Sequence, residues 1–419
     1  MPSPLTPLEY IEHFLGGESV DEASARDFFR TWVADVGADP QMAAWMVHAA
    51  RAGVDDSTLF ALVSELVASG QRLELASLGP VGSIVSTGAL GDAVALVAIP
   101  IAAALGVRVL CDAEEGVGVF GGLGEQLASI PGFLDGLPLR DAIAGLAEGG
   151  CATSTGMGEI APAQRRLAAL RAHTGLGRDP STVAASVVAR VLALGAPAAC
   201  IHVPFGDGAM VPDRAGADRV AAVAAAFGEA WGRRLPVVLT EVPAIIGPGL
   251  GHAPSVRAAA QVLDGGGDAG LRDAATRVAG ALAAALGLGD EGDAGRAIAD
   301  GSAREAAGRW VAAHHARPNV WTEAGGPPLA PHTREVIAAA AGEVRVSSPG
   351  ALGAAVRRLG AGRLHPIQSV DPGVGVVFSI VPGEQAEAGE TIATVHGRDA
   401  YMADAVRDEI AALVGGRRA

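Results

Sequence analysis

Between residues 83 and 133 the chain is built like an anion-binding site without its cations. An apolar run ends in Ser86-Thr87-Gly88, and Asp92 opens a long apolar segment. A second apolar run follows, then a glycine-rich loop leading through Gly121, Gly122 and Leu123 to Ser129-Ile130-Pro131-Gly132. Turns of this kind let backbone N–H groups and a helix N-terminus approach an anion closely. Yet no basic side chain stands between Arg72 and Arg108, and the chain has no lysine, so all 31 of its Lys+Arg are arginine. Whatever binds here is met without an ammonium group.

Three acids, Asp112, Glu114 and Glu115, follow the second apolar run. A carboxylate pair can activate water for cleavage of a glycosidic bond. An acid there can also bind a ribose hydroxyl, and loop acids are mostly solvated. His202 falls in the apolar run 198–203, at the kind of strand end where α/β proteins gather their sites. A proton donor and a buried structural histidine both fit it. Residues 116–121 read G-x-G-x-x-G, but Cys111 to Glu115 separate them from the preceding apolar run and the next helix starts late, which departs from a dinucleotide fingerprint. No His or Cys spacing suggests a metal site, and there is no P-loop or Gly-x-Ser-x-Gly elbow. No cofactor and no metal is expected. His314-His315 falls in a helical stretch and reads as exposed.

These candidates need a scaffold. A chain of 419 residues suggests two or three domains with a large core. Half of it is hydrophobic and only 4% aromatic, so that core is Ala, Val, Leu and Gly. Residues 1–70 show helical periodicity, for example at 22–36, 40–52 and 57–69. Residues 75–133 alternate strand, loop and helix, and 162–194 returns to helix. Strand-like runs at 198–203 and 236–239 flank a helix at 218–231. The expectation is an α/β fold with a mostly parallel sheet covered by helices. Gly/Asp-rich loops are expected at 264–268 and 287–295 and a linker at 327–331. A tail from about 343 has short strands at 375–381 and 391–395 and a final helix.

The net charge of −15 argues against nucleic acid and anionic membranes as partners. The apolar run 93–107 is broken by Pro100 and belongs in a core. Cys111, Cys151 and Cys200 make no disulfide framework, and the first residues lack a signal pattern, so a cytoplasmic location is expected.

In order and spacing, the chain resembles the thymidine and pyrimidine-nucleoside phosphorylases. The match includes residues 86–92, Gly121-Gly122 with Glu125-Gln126-Leu127, residues 129–132, and Pro162-Ala163 through Leu170-Arg171. It continues with Ser186 and Arg190, residues 206–209, Leu359 to Arg363, Asp371 with Gly373, and Val395-His396. The resemblance implies a small helical domain from two segments, 1–70 and 160–194. It further implies an α/β domain from 75–155 and 196–330, a C-terminal α/β lobe at 340–419, and a homodimer formed through the helical domain. It implies phosphorolysis of a pyrimidine nucleoside to free base and sugar 1-phosphate, with Arg171, Ser186 and Arg190 at the base. Ser186 and Arg190 are four apart and share a helix face.

The resemblance also shows where this chain departs. Ile84-Val85 stands where the family has Lys-His. Ala95 and Ala113 replace serines, Glu115 an arginine, Val119 a histidine and Leu123 a threonine. Ser86, Thr87, Gly88 and backbone N–H groups around Gly121, Gly122 and Leu123 remain for an anion. Each lost donor to an oxyanion can cost a few kcal/mol. The expectation is an enzyme that cleaves or exchanges an N-glycosidic bond with altered or lost phosphate dependence. The alternative is a non-catalytic nucleoside-binding homologue. His202 stands as the proton donor, with Asp112 and Glu115 among the substrate contacts.

Overall fold

The computed structural model describes residues 5–113, 118–135, 137–154, 160–322, 325–365 and 368–417. Four helices come first: Pro7–Leu15, Glu22–Val33, Asp39–Ala52 and Asp56–Ala68. Thr6, Asp21 and Asp55 start three of them by accepting a backbone N–H three residues on. Their apolar faces meet around buried Tyr10, Phe28, Phe29 and Trp45, with Trp45 Nε1 donating to the Tyr10 hydroxyl at 3.2 Å.

The stretch 162–194, expected to be helical, is two helices, Pro162–Thr174 and Pro180–Ala193. Gly175 ends the first in the left-handed region (φ 74°), where a side chain would be strained. The second is buried from Thr182 to Ala193, packed against Asp56–Ala68, the helix Arg214–Trp231 and the central sheet.

That sheet has five strands: β1 (Val81–Ser86), β2 (Arg108–Asp112), β3 (Cys151–Ser154), β4 (Ala198–Phe205) and β5 (Val237–Glu241). Their order is β3-β2-β1-β4-β5 and every pairing is parallel, as expected from the alternation of strands and helices. The other face is covered by Val94–Ala104, apolar all round with Pro100 inside it, wedged against Ala269–Leu286 and Ser302–Ala313. Cys111, Cys151 and Cys200 are free and buried in this layer. Within 287–295, expected as loop, a helix Glu291–Ala299 starts at the capping residue Asp290.

One expectation fails outright. His314 is fully buried, not exposed. It stacks on Phe133 at 4.4 Å, accepts the Thr153 N–H at Nε2 and meets the Leu134 carbonyl through Nδ1. The left-handed backbone at His315 (φ 64°) turns the chain and tucks its neighbour inward.

The last part of the chain forms two antiparallel sheets. One is ordered β6 (Gly249–Leu250), β9 (Gly375–Phe378), β11 (Thr391–Gly397) and β7 (His332–Ile337). The other is ordered β10 (Gln385–Ala386), β8 (Gly342–Val346) and β12 (Val414–Arg417). Helices Pro349–Val356 and Ala400–Leu413 pack beside them. Among the described residues no helix is long and apolar enough to cross a membrane.

Candidate active site

The strand order reverses between β1 and β4, and parallel sheets bind ligands at the carboxyl ends of strands beside such a reversal. There Ser86 and His202 are register partners. Ser86 Oγ lies 2.6 Å from Asp92 Oδ2 and 3.1 Å from His202 Nδ1, and it accepts the Gly88 N–H. The hydroxyl proton goes to the carboxylate, so Oγ accepts from Nδ1–H, and Nε2 then accepts from Thr240 Oγ1 at 3.1 Å. This is the neutral imidazole. Burial holds its pKa below the usual histidine value, with Asp92 opposing and Arg277 adding to the shift. His202 is fully buried. Thr87 gives its backbone N–H to the His202 carbonyl, and its side chain is buried.

Asp112 ends β2. It is not a solvated loop acid: it is 6% exposed, and Arg190 is 7% exposed. Arg190 Nε meets Asp112 Oδ2 at 2.8 Å, and a second guanidinium nitrogen lies 3.5 Å from the Asp112 carbonyl. Glu114 and Glu115 lie outside the described residues.

A small cavity of about 70 Å³ opens in front of these groups. Ile84, Val85, Ala95 and Leu123 form its apolar wall; Ser86, Asp92, Asp112 and Arg190 face it from the sheet side. Two of the backbone donors expected to serve an anion are already engaged. The Gly88 N–H is on Ser86, and the Gly122 N–H is on Glu125 Oε2 at 2.8 Å. Glu125 is held in turn by Arg363 at 2.7 Å. Local side chains thus cap two of the expected N–H donors, those of Gly88 and Gly122.

Gln126, His252 and Ser255 complete the wall. His252 begins the helix His252–Leu263 and is 2% exposed. Among the described residues neither of its ring nitrogens completes a hydrogen bond. Burial lowers its pKa, and Glu125 and the Phe120 carbonyl offset only part of that. His252 is therefore a buried imidazole that favours the neutral form, on the same cavity wall as Asp92 and Asp112. Sequence reasoning gave His252 and Ser255 no role.

A larger cavity of about 740 Å³ adjoins the first, sharing Gly118, Phe120 and Gly121 with it. Arg171 lines this one and Arg190 the small one, while Ser186 of the expected trio lines neither. Arg171 donates to the Thr182 carbonyl at 3.0 Å. Ser186 lies between the two arginines in the buried helix, and Gln164 Nε2 donates to its Oγ at 2.8 Å. Arg165, Arg178 and Arg357 also face the large cavity and were missed. The signal was legible: 160–178 holds four arginines and no acid in a strongly acidic chain.

With this geometry in view, comparisons with known proteins are specific. Residues 344–415 match the pyrimidine nucleoside phosphorylase C-terminal domain. The thymidine phosphorylase of Mycobacterium tuberculosis (strain H37Rv) is 32% identical over 89% of this chain and 86% of its own length. The human thymidine phosphorylase is 29% identical over 94% and 85%. The Staphylococcus epidermidis pyrimidine-nucleoside phosphorylase is 26% identical over 93% and 91%. In fold, the chain resembles the anthranilate phosphoribosyltransferase of Thermus thermophilus, with TM-score 0.56 and 20% identity, over 73% of this chain and 99% of that one. The strand reversal, the two joined cavities and these likenesses agree: the chain belongs to the thymidine and pyrimidine-nucleoside phosphorylase family of glycosyltransferases.

Proposed function

We propose that this enzyme breaks the N-glycosidic bond of a pyrimidine nucleoside and passes the sugar to an acceptor other than phosphate. The observation that supports this reading is the small cavity. Its one arginine is engaged by Asp112, its Gly88 and Gly122 N–H groups are engaged locally, and its remaining polar side chains are Asp92, a serine pair, a glutamine and a neutral histidine. A phosphate dianion there meets carboxylates where it needs donors. Water or a neutral alcohol suits the same wall. Its oxygen bonds to C1′ as the C1′–N bond breaks, its proton passes to His252, and the bonding pair leaves with the base. Arg171 and Arg190 offset the charge on that base, with Ser186 holding the helix face between them. His202 acts through Ser86, keeping Asp92 oriented. In this reading 1–70 with 160–194, 75–155 with 196–330, and 340–419 are the three structural units.

The test is release of free base from uridine, thymidine and deoxyuridine, each with and without phosphate, followed by chromatography. Release without phosphate is expected. Release that strictly requires phosphate would overturn the reading of the small cavity. Arg171→Ala separates an enzyme from a binding protein: base release should drop by about 100-fold or more, the scale of losing one charged contact to a developing anion.

A further inference from the structure

The large cavity carries charge of the opposite sign to the rest of the molecule. The chain has 46 Asp+Glu against 31 arginines, yet five arginines line this one cavity: Arg165, Arg171, Arg178, Arg357 and Arg363. His173 and His365 join them, and among the described residues Asp207 is the only carboxylate on the wall. The arginines arrive from three separate places. Arg165 and Arg171 come from helix Pro162–Thr174, Arg178 from the loop after it, and Arg357 and Arg363 from the far side of the cleft.

Their partners divide them. Arg363 is taken by Glu125. Arg178 meets only the Met210 and Gly206 carbonyls, at 3.4 and 3.5 Å, and Arg357 donates to the Val119 carbonyl at 3.1 Å. Among the described residues Arg165, Arg178 and Arg357 make no ion pair, whereas the adjacent Arg166 reaches both Asp35 and Asp39. Three guanidinium forks left without carboxylates around one concave space focus a positive potential inside an acidic protein. Guanidinium pairs with phosphate and carboxylate through two parallel hydrogen bonds, so this wall is shaped for an oxyanion. The small cavity is the wrong place for such a group, for the reasons given above.

We propose that the large cavity binds an acidic group, phosphate or carboxylate, carried by the nucleoside itself, with Arg165, Arg178 and Arg357 as its recognition residues. This rests on the reading of the protein as a nucleoside enzyme and adds the substrate class. The anion is thus a fixed part of the substrate instead of the attacking reagent.

Titration calorimetry tests this with uridine, uridine 5′-monophosphate, uridine bearing a 5′-carboxylate, and ribose 5-phosphate. One or both anionic nucleosides should bind at least about tenfold more tightly than uridine, the effect of one good charge-assisted contact. The two arms show which oxyanion is preferred. The advantage should shrink between about 0.05 and about 0.5 M salt. In the Arg178→Ala/Arg357→Ala double variant the ratio of anionic to neutral affinity should fall towards one, and Lys at both positions should restore part of it. Equal affinity for uridine and its anionic forms would overturn the proposal and leave the nucleoside reading intact. A ratio that survives the double variant would also overturn it. Arginine-dependent binding of ribose 5-phosphate with no nucleoside bound would uphold an anion site and overturn the nucleoside reading. No binding of any of the four would sink both.

Discussion

Asp112 and Arg190 form a buried ion pair at 2.8 Å, although 78 residues separate them in the chain. The pair sets the electrostatics of the small cavity, because it turns the one cation there into half of a neutral unit. Removing one member of such a pair strands the other and costs about 3 to 5 kcal/mol. Asp112→Ala should therefore lower stability by that order in chemical denaturation. Asp112→Asn keeps a hydrogen-bond acceptor and removes the negative charge. Its affinity for inorganic phosphate should rise by about tenfold or more over the parent, read by calorimetry. An Asn variant with unchanged phosphate affinity would show that Asp112 does not set the anion preference.

Ser86 joins Asp92, His202 and the Gly88 N–H through one oxygen. Ser86→Ala leaves the His202 Nδ1–H and the Gly88 N–H without their acceptor, at a cost of about 1 to 3 kcal/mol. Base release should fall together with stability, and Ser86→Thr should recover most of the stability. A fully stable Ser86→Ala protein would mean the network is not a structural unit.

Three buried histidines, His202, His252 and His314, have their pKa lowered from 6.5, in each case chiefly by desolvation. The unfolded chain therefore takes up protons before the folded one does. Their contribution to stability is complete above about pH 6.5 and is lost progressively as pH falls from there towards the lower folded values. The urea midpoint should be flat from pH 7 to 8 and drop between pH 6.5 and 5. His314→Gln should flatten that slope; a parent midpoint independent of pH down to 5 would contradict the assignment.

Leu8, Leu15, Val36 and Val47 are exposed on or beside the first three helices, at 57, 46, 79 and 44%. Such a set fits the homodimer surface expected of the helical segments. Light scattering should give about twice the chain mass of 41.8 kDa. The double variant Leu8→Glu/Val47→Glu should shift it to the single mass. A wild-type protein of single mass at tens of micromolar would refute the dimer.

The sheet was readable because alternating apolar runs and amphipathic helices leave few other folds, and strand ends locate the crevice in any parallel sheet. Ser86 and Asp112 were found for that reason. What local pattern could not show was pairing across the fold. Asp112 looks like a loop acid until Arg190, 78 residues later, is packed beside it. His314 looks exposed until the turn at His315 folds it onto Phe133. The Gly88 and Gly122 N–H groups look available because their acceptors, Ser86 and Glu125, are side chains whose rotamers no sequence pattern encodes. Part of the arginine wall was legible in 160–178; that Arg357, from a distant segment, joins it was not.

The two-residue strand Gly249–Leu250 is hydrogen-bonded to Gly375–Phe378 in the C-terminal sheet, and the chain runs straight on through Gly251 to His252 on the small cavity. This makes the strand a mechanical lever. Within three residues it ties the C-terminal sheet to the imidazole on the small cavity. The chain that leads from helix Pro349–Val356 into strand Gly375–Phe378 of the same sheet carries Arg357 and Arg363 on the large cavity. One small sheet is therefore the link, by backbone and by hydrogen bonds, between a wall of each chamber.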